Sequence, residues 1–402
     1  MIKSINMSVA TAHPPTRWLT AEQAIASLGV SRQTLYAYVS RRLIGAVPAP
    51  DRTRRSLYDA DDVGRLAERN RRGRSRRAVA ASTISWGEPI LASAITRIEA
   101  GRLEYRGQDA IALSTTAPLE QVAARLWQVD SLPHQQADAA SGKWPRARAR
   151  AGVTTRCITA AAELAMVGRW AGRVDAVMPD AVRILDRIAW AASGMSGAAR
   201  PTGRLPMHER LAQAWGVGPR AADVIRRALV LVADHELNVS TYAARVVAST
   251  RAPLGACVLA GLAALIGPLH GGMTEEVRTL LADPAVGVEP EAAIATRLAR
   301  GEQVPGFGQR LYPDGDPRAA ALLQCLPTQP RVQRVIDAMQ AMTGLAPNVD
   351  FALLVLERSL RLPLGSAFAL FAVGRTVGWI AHALEQWRDG TLIRPRAVYR
   401  AG

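Results

Sequence analysis

From Ser82 onward the chain is written almost entirely at the helical period, and this leaves little room for a sheet-based body. Apolar faces recur at Leu119–Trp127, Cys157–Val167, Ala181–Ala192, Ala221–Ala233, Thr241–Ser249, Cys257–Ile266, Thr274–Leu281, Arg331–Thr343, Phe351–Leu360 and Ser366–Trp387. Gly- and Pro-rich connections separate them. Composition points the same way: hydrophobic residues make up 49% and aromatics only 5%, with Ala and Leu abundant. The turn-rich stretch Ile98–Gly107 is the one place in this part of the chain that reads as a hairpin. The longest apolar run, Pro253–Leu269, is interrupted by Gly255, Gly261, Gly267 and Pro268, and reads as a buried helix, not a membrane span. Cys157, Cys257 and Cys325 lie far apart without C-x-x-C spacing, which excludes a disulfide framework and a zinc site and fits buried thiols in a reducing cytoplasm. No signal peptide or metal-binding cluster is read from the sequence.

The amino-terminal part follows a different plan. Thr20 followed by Gln23 has capping-box spacing, so a helix starts there and ends at Gly29. Ser31 opens a second helix, Arg32 to about Arg42, with Leu35, Tyr36 and Val39 on one face. Short strands at Ile44–Val47 and Arg55–Tyr58 and a helix from Asp59 to Asn70 complete the pattern. The formal net charge is +16. Half of it falls between Pro15 and Ala80, where 14 Arg and no Lys face six acidic residues. Arg69–Arg77 alone holds six Arg in nine residues. These 55 or so residues resemble the MerR-like and excisionase-like winged helix-turn-helix domains. The resemblance implies DNA contact by Ser31, Arg32, Gln33, Thr34, Arg41 and Arg42, with Arg52, Arg54 and Arg55 in the wing. The alternative is that this small domain serves protein contacts.

The larger part carries an ordered set of motifs: Gly101–Gly107, His235-Glu-Leu-Asn-Val-Ser-Thr241, Gly267-Pro-Leu-His-Gly-Gly272, Gly306-Phe-Gly-Gln-Arg-Leu-Tyr312, Asp316-Pro-Arg318, Asn348-Val-Asp-Phe351, Gly378–His382 and Ile393-Arg-Pro-Arg396. In this order and spacing the set resembles the citrate synthase family, including its citrate and 2-methylcitrate synthases, from about Thr83 to Tyr399. A bottom-up reading agrees on the chemistry. Joining an acyl thioester to a ketone needs a base for a weakly acidic C–H, donors for the enol, and cationic forks for a dicarboxylate.

The resemblance implies a two-lobed all-α fold preceded by the winged helix-turn-helix domain. The expected division is a tail at 1–15, the winged domain at 16–70, a basic linker at 71–81 and the citrate synthase-like domain at 82–402, with the small lobe inserted at roughly 272–370. It implies a cytoplasmic homodimeric transferase of the tricarboxylic acid cycle that takes oxaloacetate and acetyl-CoA, or a short acyl-CoA, with no cofactor, no metal and no membrane. Asp350 would be the base, His270 would hydrogen-bond the thioester oxygen, and the flanking glycines would let a ligand approach the backbone. His235, Arg318, Arg375 and Arg394 would bind oxaloacetate, Arg394 from the neighbouring subunit. His382 and Glu385, one helical turn apart, read as a packing pair. One position departs from the family: Gln309 stands where its members have the His that polarises the oxaloacetate carbonyl. A Gln amide donates a hydrogen bond but cannot release a proton as a general acid. The sequence therefore carries two readings, a working condensing enzyme or a metabolite sensor that regulates transcription through the fused DNA-binding domain.

Overall fold

The computed structural model describes residues 18–40, 43–48, 56–64, 66–67, 91–133, 151–170, 172–195, 205–397 and 399. Arg41, Arg42, the wing arginines at 52, 54 and 55, the tail and the basic linker lie outside the described residues. The chain divides into two compact units, Met1–Ala92 and Ser93–Gly402.

In the first unit, Thr20 caps helix Ala21–Leu28 with a full capping box: its hydroxyl accepts from the Gln23 N–H at 3.3 Å, and the Gln23 side chain accepts from the Thr20 N–H at 2.9 Å. Gly29 closes that helix at φ 60°, donating its N–H to the Ile25 carbonyl. Helix Arg32–Ser40 follows after the three residues Gly29-Val30-Ser31, and the Ser31 hydroxyl accepts from the Thr34 N–H at 3.3 Å. Strands Ala46–Pro48 and Ser56–Asp59 pair antiparallel, and Trp18–Leu19 joins the other side of Ser56–Asp59, an edge that the sequence reading lacked. The Asp59 carboxylate accepts from the N–H groups of Asp61 and Asp62, both at 3.0 Å, and helical residues follow at 60–64 and 66–67. Ala24, Leu28, Leu35, Ile44, Tyr58 and Val63 lie in one small core.

Among its described residues, the second unit's regular structure is helical apart from a hairpin and a short third strand. Strands Thr96–Glu99 and Arg102–Tyr105 are joined by Ala100-Gly101, both at positive φ (48° and 75°), the backbone that a two-residue type I′ turn requires. Around them the helices form a larger lobe built on one long helix, Ser366–Asp389. By length and composition this helix could cross a membrane, yet its apolar stretch is wholly buried inside the protein. Helices Val174–Ser193, Pro219–Leu231, Val239–Ser249, Leu254–Leu265 and Leu119–Trp127 pack on it. A second group, Met273–Ala282, Pro284–Val288, Pro290–Ala299, Pro317–Leu323, Pro330–Thr343 and Val349–Ser359, packs mainly on itself. It meets the larger lobe through Val349–Ser359 and Pro317–Leu323.

Two glycines set how closely the chain crosses the long helix. A Cβ at Gly374 would lie 2.7 Å from the Leu229 carbonyl oxygen, and one at Gly378 would lie 2.4 Å from both the Ala233 oxygen and the Asp234 carboxylate. The Gly378 N–H donates to the Ala233 carbonyl at 3.0 Å. Beside this crossing lies a buried polar network. Asp234 accepts from the Thr96 hydroxyl at 2.6 Å and pairs with His382 Nε2 at 3.3 Å. Arg245 reaches Gln386, Glu385 and Asp389 at 2.6, 2.7 and 2.9 Å. His382 and Glu385 are thus packing residues with polar work, tying the 94–96 segment to the long helix; Glu385 also accepts from the Ala94 N–H at 2.9 Å.

Gly378→Ala should lower conformational stability by about 1–3 kcal/mol, because the added methyl meets backbone that cannot move aside cheaply. Urea unfolding of the variant checks this, and an unchanged midpoint would remove the crossing from the account.

Candidate active site

His235 sits in the loop between Pro219–Leu231 and Val239–Ser249. The next helix is fixed by Asn238, whose amide oxygen accepts from the Thr241 N–H at 3.1 Å and from the Ser240 hydroxyl at 2.8 Å. Glu236 takes φ 51° and accepts from the Ile98 N–H at 3.1 Å, which turns the buried His235 ring inward. Its Nε2 lies 3.0 Å from the Tyr312 hydroxyl. Burial, with Arg318 and Arg375 nearby, pushes the His235 pKa well below the ordinary histidine value.

His270 lies in the tight turn after Leu254–Leu265. Its Nε2 is 2.8 Å from the Ser240 hydroxyl, and that hydroxyl oxygen accepts from Trp379 Nε1–H at 3.2 Å. The Ser240 proton therefore has two acceptors at the same distance, Asn238 Oδ1 and His270 Nε2. Directed at His270, it leaves the imidazole's own proton on Nδ1. Burial lowers the His270 pKa to about 3, with Arg375 adding to the effect, so the ring is neutral at physiological pH. The flanking glycines are explained by the chain itself. A Cβ at Gly271 would lie 2.6 Å from the Leu265 side chain, and one at Gly272 would lie 2.6 Å from the Ile266 carbonyl oxygen. The turn needs them whether or not a ligand approaches.

Asp350 stands in the first turn of Val349–Ser359, capped by Asn348, whose oxygen accepts from the Asp350 N–H at 3.1 Å. A helix N-terminus and the nearby Arg318 and Arg375 favour a carboxylate. Burial outweighs them and raises the pKa to about 7. Its Oδ1 is buried without a hydrogen-bond partner among the described residues.

The two interior arginines differ in what holds them. Asp316 grips Arg318 in a fork, Nε to Oδ1 at 2.9 Å and Nη2 to Oδ2 at 2.8 Å. The same Asp316 Oδ2 accepts from the Val349 N–H at 3.0 Å, so Arg318 and Asp350 are fixed by one carboxylate. Arg375 is almost fully buried, and only its Nε is engaged, with the Val232 carbonyl at 2.8 Å. Both terminal nitrogens are buried without a hydrogen-bond partner among the described residues. Burial lowers its pKa to about 10, so it stays charged. Phe371 links the two halves: its ring lies 6.0 Å edge-on from His270 and 5.0 Å from the Arg375 guanidinium.

His235, His270, Asp350, Arg318 and Arg375 thus converge. Gln309 is half-buried and turns its amide oxygen to the Leu311 N–H at 3.4 Å. Arg394 lies exposed in the carboxy-terminal segment, without a hydrogen bond or ion pair to the described residues. Ser31, Arg32 and Gln33 are exposed at a helix start in the first unit and Thr34 is partly buried there. The sequence reading missed Ser240, Asp316 and Phe371 as supports. Tyr312 lay inside a matched motif, but its partner His235 is 77 residues away, a distance that no local pattern reveals.

Comparison with known proteins follows the same line. The family pattern "Citrate synthase, C-terminal domain" matches residues 84–396. Citrate synthase 2 of Bacillus subtilis is 37% identical over 191 residues, 45% of this chain and 51% of the relative. 2-Methylcitrate synthase 1 of Corynebacterium glutamicum is 35% identical over 192 residues, 44% of this chain and 50% of the relative. The chain spans about half the length of the curated relatives it matches. Among solved structures, citrate synthase from Thermotoga maritima superposes with a TM-score of 0.64 at 26% identity, over 79% of this chain and 94% of the other. Citrate synthase of Thermoplasma acidophilum, solved as a ternary complex with carboxymethyl coenzyme A and oxaloacetate, gives 0.63 at 26%, over 80% and 96%.

The raised pKa of Asp350 sets a sign for stability against pH. A carboxyl raised to about 7 in the fold from an ordinary value of 3.8 holds its proton longer when folded, so its contribution is lost as pH climbs through that interval. Asp350→Asn should therefore raise the thermal midpoint at pH 8 and leave it nearly unchanged at pH 4. Equal shifts at both pH values would contradict the burial of this carboxyl.

Proposed function

The chain belongs to the citrate synthase family, and from that premise we propose that it joins the acyl group of acetyl-CoA, or of a short acyl-CoA, to oxaloacetate. Water then cleaves the thioester to give citrate, or an alkylated citrate, and CoA. The observation that carries this reading is the buried Arg375 guanidinium with both terminal nitrogens unpaired, near a buried carboxyl oxygen of Asp350 that is also unpaired. Buried polar groups in native proteins are completed by protein groups, ordered water or a bound ligand. An unpaired buried guanidinium fork suits a carboxylate of the keto acid.

The roles follow from protonation. Asp350, with a pKa near 7, takes the proton from the acyl carbon, since a base poised at the working pH combines a useful ionised fraction with driving force. With the Ser240 proton turned from Asn238 to its Nε2, neutral His270 donates from Nδ1 to the thioester oxygen as the enol forms. Arg375 holds a carboxylate of the keto acid, with His235 and the Asp316-bound Arg318 beside it. The Gln309 amide can donate to the ketone but releases no proton. Arg394, exposed in its own chain, reaches the site of a second copy in a homodimer. Acetyl-CoA and longer acyl-CoAs are both open, as the relatives include citrate and 2-methylcitrate synthases.

A second reading rests on the first unit. Its capped helix pair, the exposed Ser31, Arg32 and Gln33 and the three-stranded sheet suit a winged helix-turn-helix domain that contacts DNA. In that reading ligand capture in the cleft regulates transcription.

The decisive assay follows thiol release from acetyl-CoA and propionyl-CoA with oxaloacetate. Wild type should turn over, and Asp350→Asn should lower kcat about 10²–10⁴-fold. No turnover by wild type, with recovery in Gln309→His, would overturn the enzyme reading and favour the sensor. Mobility shift on the protein's own upstream DNA tests that second reading. Binding should weaken steeply with salt and respond to oxaloacetate, and absence of binding would remove it.

A further inference from the structure

Condensation needs a donor at the ketone oxygen, where negative charge develops as the new bond forms. In a 2-keto acid the ketone carbon is bonded directly to a carboxylate carbon. The donor must therefore adjoin the forks that hold that carboxylate. Gln309 has an NH₂ to donate, but it is half-buried with its amide oxygen toward the Leu311 N–H, and among the described residues no hydrogen bond of its side chain reaches His235, Arg318 or Arg375.

Tyr312 meets the requirement more fully. Its side chain is almost fully buried. The Arg318 guanidinium lies 5.5 Å from its ring centre, and Arg375 is among the charges acting on it. Its hydroxyl is 3.0 Å from His235 Nε2, with the two rings 5.5 Å apart. Burial pushes the Tyr312 pKa up to about 12, so the phenol keeps its proton across the physiological range. His235 is neutral there and carries one N–H. With that proton on Nε2, His235 donates to the Tyr312 oxygen, and the phenol proton is free to point elsewhere.

We propose that Tyr312, oriented by His235, donates the hydrogen bond that polarises the ketone of the bound keto acid. This rests on the condensation reading above and deepens it. Tyr312 is then a catalytic residue, His235 is its positioning partner, and Gln309 plays a lesser part at the same oxygen.

The test uses the full-length protein with oxaloacetate as the probe. Infrared difference spectra, with the ketone carbon isotopically labelled, read the carbonyl stretch of the bound acid, and thiol release gives kcat and KM. In wild type the stretch should fall below its frequency in water. Tyr312→Phe should return it most of the way and lower kcat by about 10²-fold or more, with KM for oxaloacetate within a few-fold. Gln309→Ala should change both readouts much less. 3-Fluorotyrosine at position 312 keeps the packing but lowers the phenol pKa, and should move the alkaline limb of the kcat profile to lower pH. This variant also serves if Tyr312→Phe does not fold. An unmoved carbonyl band with kcat within a few-fold in Tyr312→Phe, or an unmoved alkaline limb in the fluorinated protein, would overturn the proposal while wild-type turnover kept the condensation reading intact. Loss of turnover in wild type, with the band still controlled by Tyr312, would do the reverse. Absence of oxaloacetate binding would overturn both.

Discussion

The site depends on one close crossing. The segment from Leu229 to His235 lies against the long helix Ser366–Asp389 at a separation that only glycine at 374 and 378 permits. Arg375 directly follows the first of those glycines. The same crossing gives its Nε the Val232 carbonyl as acceptor and leaves its other two nitrogens without one. It also delivers His235, three residues beyond Val232, to the same region. The contact that packs the core therefore aims the cation.

Burial then chooses the protonation states. The interior penalises charge, so His235 and His270 are neutral and Asp350 is poised near neutrality, while Arg375 remains charged because a guanidinium starts so high. Arg318 behaves differently, since Asp316 neutralises it and holds it in place. One arginine is thus already paired, and the other is left for an incoming anion. This asymmetry could not exist on an exposed surface, where water would satisfy both equally. Asp234 and His382, beside the crossing, anchor it; the other Asp234 oxygen is buried without a hydrogen-bond partner among the described residues, and its charge acts on Arg375.

Much of this was legible in the sequence wherever the cause was local. The Thr20–Gln23 capping box, the Gly29 stop and the turn at Ala100-Gly101 each depend on residues within a few positions of one another. Helix Val174–Ser193 was read only from Ala181, because Pro179 inside it breaks the pattern that marks a helix interior. The short helices Ala110–Thr116, Met207–Ala214 and Pro317–Leu323 present too few turns for a periodic face. Within the site, matched motifs named His235, His270, Asp350, Arg318 and Arg375. Which arginine is paired, and that Tyr312 meets His235, follow from contacts between distant segments. The paired glycines after His270 were read as room for a ligand, whereas the turn's own backbone already requires them.

The central claim is that Arg375 is held unpaired to receive a carboxylate, and calorimetric titration of oxaloacetate into wild type and Arg375→Met tests it most directly. A methionine of similar bulk removes the buried charge, so the unliganded variant should melt at about the wild-type temperature or above it. Its affinity for oxaloacetate should fall by about 10²-fold or more, as expected on losing one partner of a buried charge pair. Undiminished affinity in the variant, or a large loss of unliganded stability without change in binding, would show that Arg375 is a structural residue and would contradict the account.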